Sequence, residues 1–181
     1  MMKKKKFIIL ISFLIFLVIV GALIIPRIIR YNQLKNGIYN AVEMDILGYV
    51  KYTPSLPENY GESNEYRDQL IDQIDYQFDM KNLKIIEKHN GNPENSEERF
   101  KHNYGLNLDV SEEIFYEIKL DVRVKYDFDE DNSVLTGEYS GWLENNIDYN
   151  HKWSEWQTEE HSVEAVKIDG KWYYKCCDDE E

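Results

Sequence analysis

The sequence predicts an α+β fold, in which an N-terminal transmembrane helix is followed by two helices packed on a curved antiparallel sheet of about five or six strands. Residues 7–25 form a continuous apolar run, which is the first observation behind this prediction. The segments that follow repeat apolar side chains every three or four positions, and residues 114–128 alternate apolar and polar side chains. The length of 181 residues suits one modest domain together with an anchor.

The apolar run over residues 7–25 contains no charged side chain and, as a helix, would be about 28 Å long. That length matches the hydrocarbon core of a bilayer, which predicts a single membrane-spanning helix. Lysines at positions 3–6 precede the run, and fewer basic residues follow it closely. By the positive-inside rule, we expect a cytoplasmic N-terminus and a C-terminal domain on the outer side of the cell membrane.

These boundaries divide the chain into a cytoplasmic tail (residues 1–6), a transmembrane helix (7–26) and an extracytoplasmic α+β domain (27–181). A cleaved signal peptide is the alternative, with Val20-Gly21-Ala22 as a weak cleavage site. The apolar run is longer than the core of a usual signal peptide and continues beyond that site, so the uncleaved anchor is favoured.

The next segments carry helical periodicity. Residues 27–52 place apolar side chains three or four positions apart, which predicts a helix that continues the first one with a break at Pro26. A second helix is predicted over residues 64–78, where apolar residues repeat every fourth position. Residues 82–88 then predict a short strand, and the polar residues 89–105 predict a long exposed loop.

The clearest strand signal is the alternation over residues 114–128, where every even position is apolar or aromatic. A strand of this length predicts a bend or bulge within it. Residues 134–143 are expected to return as its partner after an acidic turn. Residues 151–157 and 160–168 are further strand candidates.

A closing hairpin is predicted by Asp169-Gly170, a favoured two-residue turn, and residues 171–176 form its last strand. Even-numbered apolar residues on both sides of this turn have the parity of one sheet face. We therefore expect Trp172 to be a buried anchor of the core and Tyr173 to lie on the opposite face.

The order of these elements, together with the closing stretch "VKIDGKWYY" at residues 166–174, resembles the NTF2-like (cystatin-like) cone fold of small bacterial membrane-anchored proteins. The resemblance extends from about residue 28 and is carried mainly by residues 163–174. It implies a conical pocket between sheet and helices that serves binding more often than catalysis. The family has no universal catalytic motif, so the resemblance assigns no functional residue.

Charge restricts the class of partner. From Arg27 onward there are 17 Lys and Arg residues against 34 Asp and Glu residues, a net charge of 17 − 34 = −17. Such a surface repels nucleic acid and attracts cationic proteins, basic peptides or metal cations. We therefore expect no nucleic-acid partner, and a protein or peptide partner of positive charge.

Acidic residues follow the predicted central strand with the spacing of a calcium loop. Asp127, Asp129, Asp131 and Glu138 occupy positions 1, 3, 5 and 12 of such a loop. Two features differ from an EF-hand: Asn132 stands where glycine is required, and the predicted flanking elements are strands. An acidic hairpin turn without a metal is therefore the competing interpretation.

Three tryptophans, Trp142, Trp153 and Trp156, are candidate ligand-binding residues, because exposed indole rings bind sugars or peptides. Packing in the core or at its rim is the competing interpretation. If residues 153 and 156 belong to one strand, their opposite parity places the two rings on opposite faces.

The chain has two cysteines, Cys176 and Cys177, which are adjacent and near its end. Neighbouring cysteines bridge each other only with strained geometry, so we favour unpaired thiols in a frayed tail. An intermolecular disulfide is the second interpretation. A metal site is the third, because the neighbouring sequence offers no further Cys or His ligand, and we expect no cofactor.

No catalytic motif stands out, and the four histidines are scattered along the chain. We therefore expect a membrane-anchored, extracytoplasmic, non-catalytic binding or accessory domain, with an immunity- or inhibitor-type role as one form of it. A cell-wall or carbohydrate-binding module that uses the tryptophans is the alternative. A pocket enzyme is the least favoured hypothesis.

Overall fold

The computed structural model describes the backbone of residues 2–49, 51–54, 56 and 65–177, and the side chains of Val18 and of these residues from 20 onward except 65–67. The chain divides into two compact units, Met1–Asn36 and Gly37–Glu181.

The first unit is formed by helix α1 (Met2–Ile46), which also enters the second unit. The helix continues through Pro26, so the expected break at this proline is absent. Leu23, Ile25 and Ile28 are each more than half exposed. The anchor was predicted over residues 7–25, and most of the side chains in that run, those of residues 7–17 and 19, lie outside the described ones.

Among the described residues, no helix combines the length and the apolar character that a membrane crossing requires.

The second unit contains one antiparallel sheet in which each strand pairs with the next along the chain. The α+β class is confirmed. The described residues form four strands, so the expectation of five or six is wrong. The strands are β1 (Asp75–Asn90), β2 (Val110–Asp127), β3 (Gln157–Ile168) and β4 (Lys171–Cys177).

Strand β2 confirms the alternation that the sequence carries. Its even positions Ile118, Leu120 and Val122 are buried, whereas Lys119 between them is exposed. The register of β2 against β1 shifts twice within the segment where a bulge was expected, between Lys119 and Asp121 and between Glu117 and Ile118. A further shift, against β3, lies between Val110 and Glu112.

Strand β1 is an edge strand that begins inside the second predicted helix and includes the strand predicted over residues 82–88. Helix α2 (Glu65–Ile71) ends early, and β1 begins four residues later. The helical period over residues 64–78 arose because Leu70 and Ile74 are buried in one cluster. Pairing with β2 therefore overrides the local periodicity.

Helix α3 (Pro93–Tyr104) occupies most of the stretch that was expected to be a loop. Its end signals are visible in the sequence: the Asn92 side chain accepts a hydrogen bond from the Glu94 N–H, and Pro93 is the first helical residue. Gly105 ends the helix with φ of +69°, a conformation that glycine adopts at no steric cost.

The segment expected to be the strand partner of β2 is helical instead. Helices α4 (Ser133–Gly137) and α5 (Ser140–Asn146) follow the acidic turn and precede a 3₁₀ turn (Ile147–Tyr149). The Asn132 side chain accepts hydrogen bonds from the first amides of α4 and so starts the helix. Leu135 and Tyr139 are buried in the cluster that contains Tyr126 of β2.

Both faces of the sheet are covered near β4. On one face, α1 approaches with Gly37 against the Tyr174 ring and Asp45 against His161. On the other face, Phe100 of α3 packs with Tyr173 in a buried cluster. Two adjacent residues of β4 are therefore both core residues.

The closing hairpin has the predicted turn but not the predicted core residue. Asp169 and Gly170 have φ of +50° and +77°, as a type I′ turn requires. Val166 pairs with Tyr173, whereas Trp172 pairs with Lys167 and is half-buried beneath its ammonium group. The parity argument was wrong, because partners across a two-residue turn have numbers of opposite parity.

We expect Gly37→Ala to destabilise the chain by about 1–3 kcal/mol. A Cβ at this position would lie 2.2 Å from Cε2 of the buried Tyr174 ring. The loss opposes the helix propensity of alanine, which favours the change by about 1 kcal/mol. Urea unfolding of the full-length chain in detergent, followed by circular dichroism, measures it.

Gly141→Ala in α5 is the matched control, because a Cβ there meets no atom within 4 Å. This variant should be unchanged or slightly more stable. Equal effects of the two substitutions would contradict the close approach of α1 to β4.

Candidate functional site

Trp142, the first of the three candidate tryptophans, belongs to a packed aromatic cluster. Its ring meets Tyr126 and Phe128 edge-on, with centroid distances of 5.1 and 5.5 Å. This contact holds α5 against the end of β2. The structure therefore separates Trp142 from the other two candidates and gives it a packing contact of its own.

Trp153 and Trp156 lie together on a different part of the molecule. The Arg123 guanidinium carbon is 4.6 Å from both ring centroids, and Lys81 Nζ is 3.4 Å from the Trp156 centroid. Both tryptophans precede β3, so the alternation rule for strands does not separate their rings. Because Asp79 also binds Arg123, the ring faces are used by cations that belong to the protein. This geometry gives the carbohydrate-platform hypothesis no support.

The four acidic residues of the calcium-like spacing occupy different local structures. Asp127 is the last residue of β2, and its Oδ1 lies 3.2 Å from Nδ1 of His151. The Asp129 carboxylate accepts a hydrogen bond from the backbone N–H of Asp131. Glu138 is the C-terminal cap residue of α4. Among the described residues, these carboxylates do not form a group of three with oxygens within 4.8 Å of one another. The geometry therefore does not favour the calcium hypothesis.

Two of the same aspartates line a groove between the start of β1 and the end of β2. The groove has a volume of about 450 Å³, and its described lining includes no Lys or Arg side chain. Buried Ile74 and Phe128 form its apolar part. Four aspartates therefore contribute to the described lining of this groove, which contains no Lys or Arg. They are Asp72, Asp75, Asp127 and Asp129.

A buried ionic network joins α3 to the other end of the sheet. Glu113 and Glu164 have only 5% and 1% of their surface exposed. The Arg99 guanidinium pairs with Glu164 and lies 3.5 Å from Glu113 Oε1. The hydroxyl of buried Ser96 donates to Glu113, and the Tyr52 hydroxyl donates to Glu164 at 2.9 Å.

The polar side chains of this network are hydrogen-bonded to one another. Burial raises the pKa of Tyr52, as does the neighbouring Glu164 carboxylate, so its hydroxyl stays protonated and remains a donor. Burial also raises the pKa of Glu113. In the described part of the chain, no buried side-chain nitrogen or oxygen lacks a hydrogen-bond partner. The network therefore fixes α3 on the sheet.

A second polar cluster lies on the opposite face of the sheet. One carboxylate oxygen of Asp45, one ring nitrogen of His161 and the sulfur of Cys176 lie within 4.8 Å of one another. Asp45 Oδ2 is 3.1 Å from His161 Nδ1, and Glu159 Oε2 is 3.0 Å from Nε2. Cys176 is 4% exposed, so its assignment to a frayed tail was wrong.

The surroundings of His161 favour its protonated, positively charged form. Burial alone would lower its pKa, but hydrogen bonds with Asp45, Cys176 and Glu159 raise the pKa to about 11. On the other face of β4, burial raises the pKa of the Cys177 thiol to about 11, and the Glu164 carboxylate adds to that effect. Cys177 is therefore a neutral thiol at physiological pH.

Sequence reasoning missed both polar clusters. One signal was available for the network, since Glu164 interrupts the short apolar stretch at residues 163–166 and a buried acid requires a partner. For the second cluster, 116 residues separate Asp45 from His161. No local pattern spans that separation.

Comparison with known proteins returned no relative: no protein-family model matches the chain, and no significant match is found among curated proteins or solved structures.

Proposed function

We propose that this protein is a membrane-anchored, non-catalytic binding domain whose partner is a cationic segment of a protein or peptide. An inhibitor- or immunity-type role is the form of this function that a cationic target favours. The observation that carries the proposal is the groove with four aspartates and no basic residue in its described lining. Lysine or arginine side chains of a partner would supply the missing counter-charges there.

The charge of the whole domain supports the same partner. The chain from residue 27 onward has a net charge of −17, and Glu113 and Glu164 are the buried carboxylates among the described side chains. The remaining described acids lie wholly or partly at the surface. An excess of surface charge of one sign accelerates the encounter with a partner of the opposite sign.

The anchor remains part of the proposal. The uncharged run at residues 7–25 supports insertion in the membrane, as does the exposure of Leu23, Ile25 and Ile28 on several sides of α1. The excess of lysine before the run supports an outer location for the acidic domain. The resemblance to NTF2-like domains also stays a proposal, supported by a helix followed by an antiparallel sheet.

Binding of a fluorescent oligolysine peptide to the full-length chain in detergent tests the groove. Four Asp→Asn substitutions should weaken binding about fourfold or more, since exposed charge pairs contribute about 0.2–1 kcal/mol each. Wild-type binding should weaken as salt is added. The substituted positions are Asp72, Asp75, Asp127 and Asp129.

A charge-matched variant separates the groove from the general acidity of the surface. It neutralises the same number of exposed acids elsewhere and should retain most of the affinity. Equal weakening by both variants, or no oligolysine binding at low salt, would contradict the groove as the binding site. The control positions are Glu87, Glu144, Asp148 and Glu155.

A further inference from the structure

We propose that Asp45, His161 and Cys176 form a binding site for a divalent transition-metal cation of the Zn²⁺ type. Three different elements supply the side chains: the last turn of α1, strand β3 and strand β4. The inference rests on their geometry and is independent of the acidic groove.

The fold brings these residues together for definite reasons. Cys176 pairs with Val163 in the β3–β4 ladder, and His161 is two residues from Val163, so it lies on the same face as a diagonal neighbour. Asp45 reaches this face from α1, whose approach is fixed where Gly37 meets the Tyr174 ring. The three side chains are thus held by packed elements rather than by a loop.

The distances suit a shared cation. Two oxygen or nitrogen ligands of one tetrahedral Zn²⁺ lie about 3.3 Å apart, given bond lengths of about 2.0–2.1 Å. Asp45 Oδ2 and His161 Nδ1 are 3.1 Å apart, and the sulfur of Cys176 completes a triangle with no side above 4.8 Å. Small side-chain shifts would bring all three atoms to bonding distance of one ion.

Glu159 provides the outer partner that such a site requires. Its Oε2 lies 3.0 Å from His161 Nε2, whereas Asp45 faces the other ring nitrogen, Nδ1. A metal-binding histidine usually donates its other N–H to a carboxylate, which fixes the ring and its tautomer. We therefore assign Nδ1 as the ligand atom and Glu159 as the acceptor of the Nε2 proton.

The local charge also favours a cation when His161 is neutral, as a metal-binding imidazole must be. The last turn of α1, residues 43–46, contains two acids and no Lys or Arg. The C-terminus of a helix carries partial negative charge, so acids there are unfavourable unless positive charge lies nearby. A divalent ion between Asp45 and Cys176 would supply that charge in a site that is largely withdrawn from water.

The ligand types indicate which metals fit. A thiolate together with an imidazole selects Zn²⁺ or Co²⁺ over Mg²⁺ and Ca²⁺, which prefer oxygen ligands. Three protein ligands leave a fourth position for water or for a ligand from outside. His161 and Asp45 keep 12% and 30% of their side-chain surface exposed, which leaves a route to that position.

Titration of the full-length chain in detergent with Zn²⁺ and Co²⁺ tests the proposal. The chain is reduced beforehand, and excess Mg²⁺ is present to occupy surface carboxylates. We expect one tightly bound metal per chain and, with Co²⁺, a thiolate-to-metal charge-transfer band. Cys176→Ser should remove the band and weaken binding by more than about 100-fold, beyond the 10–100-fold effect of a lost outer partner.

Cys177→Ser is the matched control, because this adjacent thiol lies on the other face of β4 and should leave affinity and band unchanged. Glu159→Gln should weaken Zn²⁺ binding about 10–100-fold while keeping the band. Circular dichroism shows whether each variant is folded. Absence of the charge-transfer band in the wild-type chain, or equal affinity of the Cys176→Ser and Cys177→Ser variants, would overturn the proposal.

Discussion

Replacing Arg99 with methionine should destabilise the folded chain by about 3–5 kcal/mol, the cost of leaving buried charge without its partner. Glu164 and Glu113 lose the guanidinium that lies against both of them. Lys175 does not replace the lost guanidinium. Its Nζ lies 3.8 Å from Glu164 Oε2, which is a long ion pair, and it leaves Glu113 without a counter-charge. Urea unfolding of the full-length chain, compared with the wild type, gives the difference.

Lys119→Met is the matched control, because the Lys119–Glu160 pair lies in solvent with both side chains largely exposed. It should cost less than about 1 kcal/mol. The double variant Arg99→Met/Glu164→Gln should recover part of the loss, since one unpaired charge is removed. If Arg99→Met is as mild as Lys119→Met, the buried network does not stabilise the fold.

Truncating Tyr173 to alanine should cost about 3–5 kcal/mol, the range for a large buried aromatic side chain. Tyr173 is 6% exposed and belongs to the cluster formed with Phe100 of α3 and Val166 of β3. Trp172→Ala should cost only about 1 kcal/mol, because that ring is half-buried opposite Lys167. The sequence argument, which placed Trp172 in the core and Tyr173 on the opposite face, predicts the reverse order of these two effects.

Thermal unfolding of the two single variants decides between the two orders. Tyr173→Phe serves as a further control, because it removes only the hydroxyl and should retain most of the stability. A larger loss for Trp172→Ala than for Tyr173→Ala would mean that the register of the closing hairpin is wrong.

The sequence predicted well where the signal lies within a few neighbouring residues. The alternation over residues 114–128 identified β2 and its buried positions, because adjacent side chains of a strand point to opposite faces. Asp169-Gly170 identified the last turn, because few residue pairs tolerate positive φ at both positions. Asn92 and Gly105 carried similar information on α3, which the polar composition of that helix concealed.

The candidate tryptophans show where local patterns are insufficient. Trp153 and Trp156 were expected on opposite faces, yet both rings lie against Arg123, which comes from β2. Parity was applied to them as though they belonged to a strand, whereas the segment before β3 has no strand pairing with them. Whether two rings share one side thus depended on the strand boundary.

By itself, the sequence determined the α+β class, the central strand and the turn of the closing hairpin, since short-range sterics and periodicity govern these features. Only the tertiary structure decided that β4 is buried on both faces, because that depends on α1 and α3 packing against opposite sides. It also decided that Asp45, His161 and Cys176 meet. Contacts between residues so far apart in the chain follow from strand register and helix docking, which no local pattern of side chains records.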